Sequence, residues 1–275
     1  MKKLLNALFF IGLNLILIIT TGCATMNTPS SEPTEFIHPK SILPKLGTHK
    51  KKIWFVGYTN AGLQECIQDM DNAMANGADA VIYEGSDFKK LDEILGELRK
   101  RYPNNVMGVN FLGPDENLYT FKETFELAKK HHMQIAWTDF SGVDLINEAK
   151  ETSLHLIESY KPKDVFYISG IHMKYSTPVD AAKTIEKSAL QAMGWVDGII
   201  ITGPKTGVAT DWHKAAKVRQ VIGEYPMGAA SGVGVDNIKE LLPYLDYVVV
   251  NTSVSDKNHR VIPEKMAELR KAMGN

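Results

Sequence analysis

Eight short apolar runs recur along this sequence from residue 53 onward, with a helical stretch between each and the next. They are Ile53–Val56, Ala80–Tyr83, Val106–Leu112, Gln134–Trp137, a run opening at Val165–Ile168, Gly198–Ile201, Met227–Ala230 and Tyr247–Val250. Apart from Gln134 and Asn110 they are apolar throughout instead of alternating, which fits strands of a parallel sheet buried on both faces. Helical patterns fill the intervals at Leu63–Asn76, Leu91–Arg101, Leu118–His131, Leu145–Ser159, Val179–Met193, His213–Ile222 and Ile238–Leu242. Pro263 opens a last helix to Met273, and proline suits the first turn of a helix. Eight such units over about 225 residues predict a single α/β domain, a (β/α)8 TIM barrel over residues 50–275. The competing architecture is a doubly wound open sheet. It is disfavoured because no GxGxxG follows the first run, and eight units are many for an open sheet of this length.

Composition narrows the function classes. With 44% hydrophobic and 23% charged residues in 275, the chain can bury a sizeable core. A net charge of -1 gives no field to hold nucleic acid or an anionic membrane, so no nucleic-acid partner is expected. The run Lys50-Lys51-Lys52 reads as a solvated strand entry. The two cysteines, Cys23 and Cys66, form no CxxC pair, which argues against a cysteine zinc site. A disulfide between them is not expected either, because Cys23 has a different role in view.

That role comes from the first 23 residues. Lys2 and Lys3 are followed by an apolar stretch, Leu4–Ile19, broken only by Asn6, Gly12 and Asn14, and then by Thr20-Thr21-Gly22-Cys23. A charged start, an apolar stretch and small residues before a cut describe a secretory signal. The cysteine after a small residue resembles a lipobox, with Thr20 where leucine is more usual. The expectation is a lipoprotein signal over residues 1–22, with Cys23 lipidated as the new N-terminus. The alternative is an uncleaved anchor helix, and either places the domain at a bacterial membrane, outside the cytoplasm. Ala24, where aspartate would resemble an inner-membrane retention signal, leans towards the outer membrane. Residues 23–49, rich in Asn, Thr, Ser and Pro, read as a flexible tether.

In this fold chemistry sits at the C-terminal ends of the strands. Those ends carry Tyr58, Asn60, Glu84, Asp87, Asn110, Asp139, His172, Lys174, Thr202, Ser231, Asn251, Thr252 and Ser253. Loops are polar in any protein, so the set carries more weight than any one member. The clearest motif is Ser231-Gly232-Val233-Gly234-Val235-Asp236-Asn237-Ile238. Glycine lets the backbone approach a ligand, and a helix starting near Asp236 would aim amides at the loop. With Asn251-Thr252-Ser253 this predicts an anion site after strands seven and eight. The plainer reading is a tight turn with Asp236 capping the helix. Thr202-Gly203-Pro204-Lys205-Thr206-Gly207 is not a Walker A loop. Gly203 and Gly207 would shape a loop over the mouth, and Lys205 is either an anion ligand or a surface lysine. His172 and Lys174, two apart on an extended stretch, are expected to face the same way. Lys174 is a candidate base or Schiff-base lysine, or one half of an interior ion pair with Glu84 or Asp139. No HxH or HExxH pattern supports a metal, no cofactor motif is present, and His131-His132 read as surface residues at a helix end.

Taken together, Asp197–Gly207, Ser231-Gly232-Val233 and Asp236-Asn237-Ile238 resemble the BtpA/SgcQ family, described as TIM barrels related to phosphate-binding barrels. Gly77–Glu84 is similar to the family's second strand with its acidic end, Met107–Leu112 to its third, and His172-Met173-Lys174 to its fifth. The resemblance spans about Ile53 to Met273. Gly85 stands where the family usually has Asn, Gly170 where Asp is expected, and Tyr175 where His is common. Tyr58-Thr59-Asn60 replaces the His and Pro pattern of strand one. The resemblance implies one of two functions. The first is an enzyme of isomerase, lyase or hydrolase type, acting on a small phosphorylated or carboxylated ligand through Lys174, Glu84 and Asp139. The second is a non-catalytic lipoprotein scaffold for a membrane complex, favoured by the lipid anchor and the altered family positions; one branch of the family is linked to assembly or stability of a photosynthetic membrane complex. Self-association is compatible with either.

Overall fold

The computed structural model describes residues 38–113, 120–174, 180 and 182–274. Its strands are β1 Lys52–Tyr58, β2 Ala80–Gly85, β3 Met107–Phe111, β4 Ile135–Phe140, β5 Phe166–Gly170, β6 Gly198–Thr202, β7 Met227–Ala230 and β8 Tyr247–Val250. The helices are α1 Leu63–Ala75, α2 Phe88–Arg101, α3 Phe121–Lys130, α4 Asn147–Tyr160, α5 Ile185–Ala192, α6 Trp212–Ile222, α7 Ile238–Leu241 and α8 Pro263–Met273. All neighbouring strands pair in parallel and β8 returns to β1, closing a TIM barrel. Among the described residues no helix is long and apolar enough to cross a membrane.

Strand alternation divides the apolar residues between two cores. One set points outward under the helices and includes Ile53, Phe55, Val81, Tyr83, Val109, Tyr167, Ile199, Ile201, Ala229 and Val248. The other fills the lumen with Trp54, Val56, Ile82, Ile135, Trp137, Phe166, Ile168, Ile200, Tyr247 and Val249. Trp54 stacks on Tyr247 with ring centroids 4.3 Å apart. Gly228 makes room for that tyrosine, since a Cβ there would lie 2.2 Å from its ring. The same count by twos, carried one step past the apolar layers, points Tyr58, Glu84, Asn110 and Asp139 into the upper lumen. That is how a run of hydrophobic strands delivers polar groups to one end of the barrel.

Three expectations are corrected at the other end. Residues 38–49, expected as the end of the tether, pack against the barrel floor. Short 3-10 turns at Pro39–Ser41 and Leu43–Lys45 bring Leu43 and Leu46 into the lumen core, and Trp54 Nε1 donates to Leu46 O at 3.3 Å. Burying two leucines outweighs the freedom of a loose linker, at about 1.5–3 kcal/mol each. Lys52 is buried, not solvated, its ammonium donating to Gly47 O at 2.9 Å and to His49 O. Asp79 organises the floor, accepting from the amides of Thr48, His49 and Ile53 and from Arg270 Nη2 at 2.6 Å. His131, expected as a surface residue, has a side chain only 10% exposed and meets Asp92 Oδ1 at 2.7 Å. Helix α5 begins at Ile185, later than the expected Val179, and Thr184 caps it by accepting from Lys187 N. Cys23 and Tyr175 lie outside the described residues.

Candidate active site

A cavity of about 430 Å³ opens at the C-terminal end of the barrel. It is lined by Tyr58, Glu84, Trp137, Asp139 and Lys174 and by residues 230–234, 236–237 and 249–253. The strand-end candidates therefore gather in two groups around one mouth.

The first group is a carboxylate pair. Asn110 Nδ2 donates to Glu84 Oε2 at 2.9 Å and to Asp139 Oδ1 at 3.1 Å, so one amide holds both carboxyls. Asn110 is buried, and its Oδ1 has no partner among the described residues. Burial first, and the Asp139 charge second, push Glu84 up to about 8, against the pull of Asn110 and Lys174. Asp139 is raised as well, by burial. Two carboxyls this close do not both ionise freely, and near neutral pH the raised Glu84 keeps its proton. The Tyr58 hydroxyl is pushed above its usual range by burial and by the two carboxyls, and it stays protonated.

Lys174 follows β5. Its amide donates to Thr202 Oγ1 at 2.8 Å and its Nζ to Thr206 Oγ1 at 3.0 Å. His172 does not share its direction. With φ 44° it sits in the left-handed region, which breaks the extended geometry and turns its ring away from the cavity. There His172 Nε2 meets Ser188 Oγ at 3.1 Å, and Ser188 also bonds Asp144. Sequence spacing missed Lys214, which donates from α6 to His172 O at 3.1 Å and Thr202 O at 2.9 Å. Burial lowers it to about 8. It ties the ends of β5 and β6 beneath Lys174. Its only sequence signal is a lysine two residues into a helix.

The second group is the loop after β7. Ser231 and Gly232 have φ of 64° and 67°, two successive left-handed residues that curl the backbone around the cavity. A Cβ at Gly232 would lie 1.9 Å from Val208 O, and one at Gly203 would lie 2.2 Å from the same oxygen. Gly232 therefore packs the β7 loop against the β6 loop, and Gly203 lets the β6 loop fold back on itself instead of facing the ligand space, while Thr206 and Gly207 line it. Lys205 is exposed and lies off the cavity wall. Thr202 is buried in the Lys174 and Lys214 network.

Asp236 does not cap α7. Asn237 occupies that position without a side-chain cap, and its side chain instead latches the loop, accepting from Gly234 N at 3.0 Å and donating to Gly232 O at 2.7 Å. Asp236 lines the cavity. Asn251 is fastened to Val56 O and to His259, while the exposed Thr252 and Ser253 complete the wall. Asp87 caps α2, accepting from Lys90 N at 3.0 Å.

The two departures within described strands have local causes. A Cβ at Gly85 would lie 2.3 Å from Thr59 Oγ1, and one at Gly170 would lie 2.1 Å from Met173 Sδ. Larger residues there are excluded because Thr59 and Met173 fill the space. No group of three or more His, Cys, Asp or Glu side chains that could hold a metal is formed among the described residues.

Comparison with known proteins places this arrangement in context. The model of the BtpA family matches residues 134–272, from the start of β4 into α8, a narrower span than the sequence motifs cover. No curated protein matches the sequence. Solved structures share the fold at low identity. Mycobacterium tuberculosis tryptophan synthase superposes with TM-score 0.60 at 12% identity, covering 86% of this chain and 97% of that one. The (S)-3-O-geranylgeranylglyceryl phosphate synthase of Thermoplasma acidophilum, in complex with its substrate sn-glycerol-1-phosphate, gives 0.56 at 14% identity, covering 86% and 98%. Phosphoribosyl anthranilate isomerase of Thermus thermophilus gives 0.55 at 15% identity, covering 81% and 98%.

Proposed function

The chain belongs to the BtpA family, and from that premise we propose that its barrel mouth binds a small phosphorylated or otherwise anionic metabolite and performs proton-transfer chemistry on it. The observation that carries this reading is the single cavity shared by the Glu84–Asp139 pair, Lys174 and the Ser231–Gly234 loop. The curled loop and Thr252-Ser253 hold the anion. Lys174 stabilises negative charge that develops beside it. The carboxyl pair keeps one proton, with Asn110 holding both members, so one acts as acid while the other acts as base. Isomerisation and elimination both use such a pair. Solved barrels of the same fold include one with sn-glycerol-1-phosphate bound, which is compatible with this reading. A non-catalytic scaffold would have its mouth filled by side chains, and the open cavity favours a ligand. Attachment through a lipid on Cys23, which would set the domain at the envelope, is supported by the order of charge, apolar stretch and cysteine at the N-terminus.

The test is a thermal-shift screen of inorganic phosphate and of phosphorylated and carboxylated metabolites against the native protein and Lys174→Ala. Stabilisation of the native protein that falls by half or more in the variant supports the proposal. No stabilisation by any compound, with no effect of the substitution, overturns it.

A further inference from the structure

Trp137 lies in the lumen on β4, only 6% exposed, and lines the mouth cavity. Its indole Nε1 is buried and no group among the described residues accepts from it. That is unusual for a tryptophan so deep, because buried indole N–H groups find acceptors. Trp54, on β1 in the same lumen, obeys the rule by bonding Leu46 O. The position of Trp137 is also informative. In the closed strand order β4 stands four strands from β8 by either path, so Trp137 and the Asn251–Ser253 segment lie on opposite sides of the mouth. Asp139, two residues further along β4, and Lys174 line the same cavity.

We propose that this inner wall is a second subsite, one that takes a hydrogen-bond acceptor oxygen of the ligand, with Trp137 Nε1 as its dedicated donor. The ligand class follows from the two ends together. It is a phosphate ester carrying a carbonyl, carboxylate or hydroxyl oxygen at its far end, and a simple alkyl phosphate lacks what the site reads. This inference rests on the anion reading of the preceding subsection and adds the polarity and spacing of the rest of the molecule. The protonated member of the Glu84–Asp139 pair and Lys174 line the same cavity and offer further donors. Indole has no acceptor, which makes the preference one-sided: an amine at that end of the ligand would gain nothing from Trp137.

The experiment uses the full chain, propyl phosphate as the reference probe, and 3-phosphoglycerate and ribose 5-phosphate as oxygen-bearing probes. Affinities are measured by calorimetry for the native protein and Trp137→Phe, which removes the N–H and keeps most of the ring volume. At least one oxygen-bearing probe should bind about tenfold or more tighter than propyl phosphate. Trp137→Phe should reduce that advantage roughly fivefold to tenfold, the range of one neutral hydrogen bond, and leave propyl phosphate unchanged. Equal binding of all three probes to the native protein, or an equal effect of the substitution on all three, overturns the subsite. A second readout separates this from failure of the phosphate reading. The chain has four tryptophans, and the Trp137 indole resonance is assigned by its loss in Trp137→Phe. If no phosphate compound binds but free glycerate moves that resonance downfield, the phosphate reading falls and the acceptor subsite stands. A resonance unmoved by phosphate esters and glycerate alike contradicts the subsite itself.

Discussion

Replacing Glu84 by Gln should stabilise the protein in alkali and leave it nearly unchanged in acid. Glu84 is 9% exposed, and its carboxyl is raised from 4.5 to about 8. Between those values the folded protein holds a proton that the unfolded chain has already released. Stability therefore falls as pH rises through this window. At about 1.4 kcal/mol per unit, the whole shift is worth at most about 5 kcal/mol above pH 8. Asp139 shares the same repulsion and stays in place, and glutamine still offers Asn110 an acceptor. The expected gain is therefore roughly 2–4 kcal/mol at pH 9 and near zero at pH 4.5. In a domain of this size each kcal/mol moves Tm by about 2–4 °C, so the two proteins should separate by roughly 5–15 °C at pH 9. Thermal and urea denaturation at both pH values reads this directly. A difference that does not change with pH would mean that packing, not the raised carboxyl, separates the proteins. A variant less stable than the native protein at pH 9 would refute the reasoning outright.

Gly232→Ala puts a Cβ 1.9 Å from Val208 O at a φ of 67°; it should cost about 1–3 kcal/mol or more in denaturant titration and abolish stabilisation by phosphate. Leu46→Ala should cost about 2–5 kcal/mol, because Leu46 is a 3%-exposed plug of the lumen; a loss under about 0.5 kcal/mol in the same titration, the scale of ordinary surface changes, would return residues 38–49 to the tether. Cys23→Ala should move the protein from the membrane to the soluble fraction after expression, and retention on the membrane would favour an uncleaved anchor.

The barrel was legible in the sequence because parallel strands buried on both faces leave an unbroken apolar signature, and eight such runs with helices between them leave few alternatives. The acid end of the site was legible for the same reason. Glu84, Asn110 and Asp139 lie in or just beyond runs where the two-residue side-chain alternation of a strand fixes which way they point. Failures came where the chain leaves the strands. His172 and Lys174 parted company at one left-handed residue, whose sign no spacing rule reveals. Asn237, rather than Asp236, does the work in the β7 loop, because its amide can both donate and accept. Lys214 reaches the site from a helix by the length of its side chain. Trp137 read as plain core, and only the lack of a partner for its N–H marks it out. At the floor, the polar composition of residues 38–49 hid two leucines that the lumen takes in.

We propose that one barrel mouth holds both an anion, at the β7–β8 loops, and the acid–base pair. A crystal structure of the protein grown with inorganic phosphate puts this to the test. The prediction is a phosphate held by the backbone of Ser231 and Gly232 and by Thr252 or Ser253, inside the cavity that Lys174 and Glu84 share. Phosphate bound elsewhere on the surface while the mouth holds only solvent would contradict it.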